Sequence, residues 1–218
     1  MRLRLEEEKD YEEVENLTRE AFWNVYSPGC SEHLVLHKLR GQKSFVKELD
    51  YVAEDEGKIV GNIVYSRMFR GGEMCDDIIA FGPVSVHPDY QKKGIGKALI
   101  QTTMEKAKKL GFRAVIITGN PDYYGRFGFR AAAGHGIYLP EMNPGEEAEF
   151  FMAKELEEGY LQKHSGVLEF DSCFEVEPAE LELLKKSFLQ NGSGIKRKEI
   201  LYNKCLTLTL REDIRCFL

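Results

Sequence analysis

The 218-residue sequence has no long hydrophobic run: its longest uncharged apolar stretch, Ile78 to Val86, is already interrupted by Gly82, Pro83 and Ser85. A membrane-spanning helix needs ~20 apolar residues, so a spanning protein and a membrane partner are excluded. No secretory leader is expected, since Met1-Arg2-Leu3-Arg4-Leu5 leads straight into Glu6-Glu7-Glu8 with no apolar stretch. The five cysteines, Cys30, Cys75, Cys173, Cys205 and Cys216, are odd in number and include no CxxC pair. That excludes a disulfide framework and points to reduced thiols in the cytoplasm. The sequons at Asn16 and Asn191 are then chance matches. No broad basic field is present either, with 30 Lys and Arg against 36 Asp and Glu, so nucleic acid is not an expected partner. Repeats and low-complexity tracts are absent.

What is present is the composition of a globular protein, 43% hydrophobic and 30% charged, long enough to bury a core without metal or disulfide staples. The length fits one large domain or two small ones. The formal charge of −6 is unevenly spread. Residues 141–190 hold 13 acids and 4 bases, whereas the last 28 residues hold 6 bases and 3 acids. An acidic segment can favour a cationic substrate, but a solvated surface is its ordinary meaning.

Leu3 and Leu5 alternate with arginines, a short strand pattern. Residues 10–26 place Tyr11, Val14, Leu17, Thr18, Ala21, Phe22 and Val25 on one helical stripe, and residues 31–40 begin a second short helix at Ser31. Strands at 51–54 and 58–67 flank Asp55-Glu56-Gly57, a hairpin signal, and Ile78 to Val86 is a more buried strand. A helix is expected from about Gly94 to Leu110, closed by Gly111, followed by the β-branched strand 114–118. Residues 120–127 suit a short helix with Pro121 in its first turn, and a strand lies near 149–153. The fold class is therefore α/β of the mixed α+β kind, a single, mostly antiparallel sheet with helices on both faces. The division expected is a core at 1–153, an acidic extension packed on it at 154–190 with a helical stripe at Leu181, Leu184, Lys185 and Phe188, and a tail at 191–218. That tail opens on the linker-like Asn191-Gly192-Ser193-Gly194 and alternates Leu206, Leu208 and Leu210 with threonines.

The chemistry-bearing segment runs from Val84 to Leu99. A strand enters a loop whose glycines allow close backbone approach, and a helix starts at once, presenting unpaired N–H groups to an anion. Lys92, Lys93 and Lys97 sit at this end against the helix dipole, an arrangement that a bound polyanion makes favourable. A nucleoside-triphosphate loop is excluded, because Gln91 and Ala98 occupy the positions of its first glycine and its Ser/Thr. A dinucleotide fingerprint fails as well: Leu99 replaces the third glycine, and no acid lies between Glu105 and Asp122.

Gln91-Lys92-Lys93-Gly94-Ile95-Gly96, preceded by Val86-His87-Pro88 and followed by Tyr124-Gly125-Arg126-Phe127-Gly128-Phe129, resembles the paired blocks of the Gcn5-related N-acetyltransferase (GNAT) superfamily. The run from Gly119 to Phe129 is similar to a bacterial subgroup with unassigned substrates. The resemblance covers residues 2 to about 153. It implies acetyl-CoA as co-substrate, with no metal, and direct transfer of the acetyl group to a primary amine of a small molecule or protein. It also implies that backbone amides over Gln91, Lys92, Lys93, Gly94, Ile95, Gly96, Lys97 and Ala98 hold the pyrophosphate. The strand Val84, Ser85 and Val86 would pair with the pantetheine arm, Gly82-Pro83 forming a bulge beside it. Asn120 would meet the pantetheine from the other side, Val84 would steady the oxyanion, and Tyr124 would protonate the departing thiolate.

No general base is assigned: Glu73, Asp76 and Asp77 precede the expected strand and none lies within it. His33 and His37 share a helical face, but with no third ligand they read as an ordinary surface pair. Trp23, Phe22 and Tyr26 are either core packing or the acceptor pocket's wall. A coenzyme A-binding regulator without transfer activity is the alternative function. An interaction protein working through the acidic segment is a third. The expected assembly is a monomer or a homodimer.

Overall fold

The structure, a computed structural model, describes residues 1–25, 30–176 and 180. In chain order it contains β1 (Arg2–Leu5), α1 (Tyr11–Phe22), α2 (Glu32–Leu39), β2 (Tyr51–Asp55), β3 (Lys58–Arg70), β4 (Glu73–Val86), α3 (Ile95–Lys109), β5 (Ala114–Thr118), α4 (Pro121–Tyr124), β6 (Arg130–Ala131), β7 (Ile137–Tyr138), β8 (Phe151–Glu155), α5 (Tyr160–Lys163) and β9 (Gly166–Val167). Seven strands form one sheet in the order β1-β2-β3-β4-β5-β8-β6. Every neighbouring pair is antiparallel except β4–β5, which is parallel.

Local sequence explains the main elements. Glu56 and Gly57 both take positive φ, +50° and +80°, in the two-residue turn that fits the twist of a β-hairpin. In α3 the residues Ile95, Leu99, Ile100, Thr103, Met104 and Ala107 are buried, one face at helical spacing. Gly111 ends α3 with φ +93°. Its N–H bonds the Lys108 carbonyl at 3.2 Å while the Phe112 N–H bonds that of Ala107 at 3.1 Å, which closes the helix in a Schellman motif.

The sheet is covered on both faces. On one, α3 packs with Phe127 and Phe129 against Ile63, Tyr65, Ile79, Phe81, Val115 and Ile117. Leu99 and Ile100 are fully buried there, each contributing roughly 1.5–3 kcal/mol by removal from water. On the other face Val14 of α1 and Leu36 and Leu39 of α2 meet Val52 and Val64. Beside them, residues from Ala132 to Leu168 cover Ile78, Ala80, Ala114 and Ile116.

Several expectations need correction. The sheet is not the only one: β7 and β9 pair in parallel as a separate two-stranded sheet. The β3–β4 hairpin is longer than the apolar pattern suggested, reaching Arg70 and starting again at Glu73, because its outer part stands half in solvent and needs no apolar alternation. Helix α1 ends at Phe22 rather than near Tyr26. Tyr26, the helical stripe Leu181, Leu184, Lys185 and Phe188, and the tail with Leu206, Leu208 and Leu210 lie outside the described residues.

Candidate active site

Strands β4 and β5 pair only over Ile78↔Ala114, Ile79↔Val115 and Ala80↔Ile116. Beyond that point β4 runs on to Val86 beside β3 alone, and β5 continues beside β8. The sheet is therefore split from Phe81 onward. Gly82 and Pro83, joined by a cis peptide, oppose the single residue Val64 between the pairs Ile63↔Val84 and Tyr65↔Phe81, so the expected bulge is present. The His87 N–H bonds the Val60 carbonyl at 3.0 Å, toward β3. Strand alternation then turns the amides of Val84 and Val86 the other way, onto the unpaired edge. Ser85 differs. Its hydroxyl lies 2.9 Å from Thr18 Oγ1 beneath α1, and its amide shares the β3 side with that of His87.

At the Val86 end of the split stands the start of α3. Gly94 takes φ +84° as the residue before the helix, and Lys92 has φ +61°. The first intrahelical bond is Ala98 N–H to the Gly94 carbonyl at 3.0 Å. The amides of Ile95, Gly96 and Lys97 thus have no partner within the helix, the pattern of an anion site. Gln91, Lys92, Lys93, Gly94 and Lys97 are exposed, while Ile95 anchors the turn in the core. Gln91 Nε2 donates to the Val86 carbonyl at 3.2 Å, and Lys93 Nζ lies 4.6 Å from the Tyr90 ring centroid. Gly96 is required for closeness: a Cβ there would stand 3.0 Å from the Tyr123 hydroxyl and 3.6 Å from Val86 Cγ2.

The Phe81 end carries Tyr124. Asn120 caps α4, its Oδ1 accepting from the Asp122 N–H at 2.8 Å. The Tyr124 ring sits 5.9 Å from Phe81 and 6.1 Å from Phe129 between centroids. It lies over Gly119, where a Cβ would come within 2.7 Å of its Cδ2. The phenol thus borders the Phe81 end of the open edge and the anion-binding amides the Val86 end, with the Tyr123 ring between them, 4.9 Å from that of Tyr124 and with its hydroxyl against Gly96.

On the α1 side, His87 Nδ1 accepts from the Asp89 N–H at 3.2 Å and its Nε2 faces Glu20 at 3.5 Å. Phe22 and Trp23 are half-buried at the end of α1. His33 and His37 are not a surface pair. His33 is 1% exposed with Nδ1 3.3 Å from Cys30 Sγ, whereas His37 stands outside and meets Glu15 at 3.0 Å. Glu73, Asp76 and Asp77 belong to β4 after all, but at its far end. Asp77 there accepts from the Tyr160 hydroxyl at 2.6 Å and lies 3.8 Å from Arg113. Among the described residues no cluster of His, Cys, Asp and Glu is placed to hold a metal, and no helix is long and apolar enough to cross a membrane. Sequence reasoning missed Gly119 and Thr18. Gly119 was within reach as a small residue five before a tyrosine, but a Thr–Ser contact 67 positions apart leaves no local signal.

A family profile described as acetyltransferase (GNAT) domain matches residues 48–131. The uncharacterized N-acetyltransferase YjhQ of Escherichia coli K12 is 36% identical over 110 residues, 50% of this chain and 61% of that one. YhbS of the same strain, also an uncharacterized N-acetyltransferase, is 27% identical over 174 residues, 80% of this chain and 98% of its own. The chain thus spans about three fifths of the one relative and nearly all of the other. The crystal structure of Escherichia coli YhbS in complex with CoA superposes with a TM-score of 0.69 at 26% identity, covering 79% of this chain and 91% of that one. A Brucella melitensis GNAT family acetyltransferase in complex with acetyl-CoA gives 0.63 at 26% identity, covering 80% and 97%.

Proposed function

We propose that the chain is a member of the Gcn5-related N-acetyltransferase superfamily, a reading supported by its likeness to the family profile, to YhbS and to the YhbS structure, and that it moves the acetyl group of acetyl-CoA to a primary amine by direct attack. The observation that carries the reading is the split between β4 and β5, with an anion-binding helix start at one end and a tyrosine at the other. A polyanionic head joined to an extended, amide-bearing arm fits such a site, and the two similar structures bound to CoA and acetyl-CoA support it.

In this reading the amides from Gln91 to Ala98 hold the pyrophosphate, with Lys92, Lys93 and Lys97 supplying positive charge. Val84 and Val86 offer their edge amides to the pantetheine as a missing strand would, and Asn120 borders it from the α4 side. A neutral amine attacks the thioester carbonyl and the thiolate departs. The Val84 amide is the donor for the oxyanion, a contact made in the transition state and so one that lowers the barrier. Tyr124 protonates the thiolate: a phenol of pKa ~10 can hand its proton to a thiolate whose conjugate acid lies near ~8.5 as the bond breaks. Water carries away the proton that the nitrogen loses once its bond to the carbonyl carbon has formed. We place the protein in the cytoplasm, on the odd number and scattered spacing of its five cysteines.

One observation favours a second reading, a coenzyme A-binding regulator without transfer. The carboxylates of β4 sit at the far end of the strand, Asp77 already engaged by Tyr160, so the split itself receives no carboxylate from β4. Calorimetric titration of acetyl-CoA, with G94V/G96V as control, tests the shared premise. Micromolar binding lost in the variant supports the site, and no binding to the native protein refutes both readings.

A further inference from the structure

Tyr124 rides on very little helix: the four residues of α4 and a 3-10 turn over Gly125–Phe127. A segment so short has almost no stability of its own in water. Its front is held by the Asn120 cap. Its back is held by three cations, each donating to a carbonyl. Arg126 Nε bonds the Tyr123 carbonyl at 2.8 Å, Arg130 Nη1 bonds that of Gly125 at 3.2 Å, and Lys154 Nζ bonds that of Phe127. This is the favourable placing of positive charge at a helix C-terminus, concentrated on two turns.

Lys154 differs from the two arginines in where it comes from. It lies on β8, between β5 and β6, with Val115↔Lys154 and Arg130↔Ala153 as the neighbouring pairs. Gly128, between Phe127 and the strand, takes φ +88°, and the lysine side chain runs alongside it, near enough that a Cβ there would stand 3.5 Å from Nζ and 3.6 Å from Cε. Burial, and then the nearby Lys108, hold this ammonium below the usual lysine value. Drawing an ammonium out of water is unfavourable, so a surface lysine would ordinarily turn outward.

We propose that Lys154 is a positioning residue that acts through Tyr124, clamping the turn Gly125–Phe127 to the central sheet so that the phenol stays over Gly119 and Phe81 at the split. This rests on the acid role of Tyr124 proposed above. Four variants test it: K154M, K154R, Y124F and Y124F/K154M, compared by kcat with both substrates saturating. K154M is expected to lose about 10-fold in kcat, since small displacements of a reacting group are costly. The acetyl-CoA KM should stay within about 2-fold, and K154R should recover most of the rate. In the Y124F background, adding K154M should change kcat by less than about 2-fold, because the two act as one unit. If K154M is too unstable to purify, K154Q carries the same comparison. An equal loss with and without Tyr124, or no loss at all beside a slow Y124F, overturns the inference alone. A Y124F enzyme of undiminished kcat overturns the acid role and the inference with it.

Discussion

Gly119→Ala is the sharpest single perturbation of this site, because it adds one methyl group and touches one side chain. The added Cβ would stand 2.7 Å from Tyr124 Cδ2, with the neighbouring Cε2 of the same ring closer still. Carbon atoms rest ~3.5–4.0 Å apart, so the ring must retreat by about 1 Å. The ring is only half-buried and can move outward, so stability should fall by no more than about 1–3 kcal/mol. The consequence for catalysis is larger. A reacting group displaced by ~1 Å loses on the order of 10²-fold in rate. Steady-state transfer with both substrates saturating is the assay, alongside acetyl-CoA affinity by calorimetry. The expected result is kcat down ~100-fold with affinity within a few-fold of native. A G119A protein that binds acetyl-CoA and turns over at the native rate would refute the placing of Tyr124 at the reaction centre.

Three predictions concern the frame around the site. Ser85→Ala leaves the fully buried Thr18 hydroxyl without its Ser85 partner and should cost about 1–3 kcal/mol in urea denaturation, less when combined with T18V. Arg40 bonds Glu6 and Glu15 at 2.6 Å each, so R40M takes the guanidinium from two buried carboxylates, leaving Glu15 only His37, and should lose roughly 3–5 kcal/mol by the same measurement. Glu32 has its carboxyl pushed up to about 7 by burial, against the accepting of backbone N–H groups that lowers it. Folding then favours the protonated form, so this contribution is complete below pH ~4 and lost as pH rises through about 7. Denaturation midpoints of the native protein should fall between pH 5 and 8, and E32Q, which keeps an acceptor oxygen, should flatten that slope. An E32Q slope equal to the native one would contradict the assignment.

Much of this could be read from residues alone, and the reasons are local. Helix α3 announces itself by one buried face, by Gly94 before it and by Gly111 after it. The β2–β3 turn is written in Glu56-Gly57, and Gly82-Pro83 marks the bulge. What escaped was long-range or undersized. The outer part of β4, Glu73 to Asp77, looks like a loop because charged residues at a sheet's end need no alternation. Strands β7 and β9 have two residues each and no period at all. The Thr18–Ser85 contact and the burial of His33 against Cys30 depend on how α1 and α2 lie on the sheet. The unpaired amides at the start of α3 were legible because they are backbone features, set by glycines in sequence. The side-chain contacts around His87, Glu20 and Thr18 were not, since they come from separate elements.

Acetyl transfer at the split between β4 and β5 releases free coenzyme A thiol from acetyl-CoA, and that thiol is the quantity to measure. The protein would be mixed with acetyl-CoA and a panel of primary amines, small and peptidic, and the thiol followed with time. Thiol release should accelerate with at least one amine and collapse in both Y124F and G94V/G96V. Acetyl-CoA that binds tightly while thiol release stays at the amine-free rate across the panel would contradict acetyl transfer, and the regulator reading would take its place.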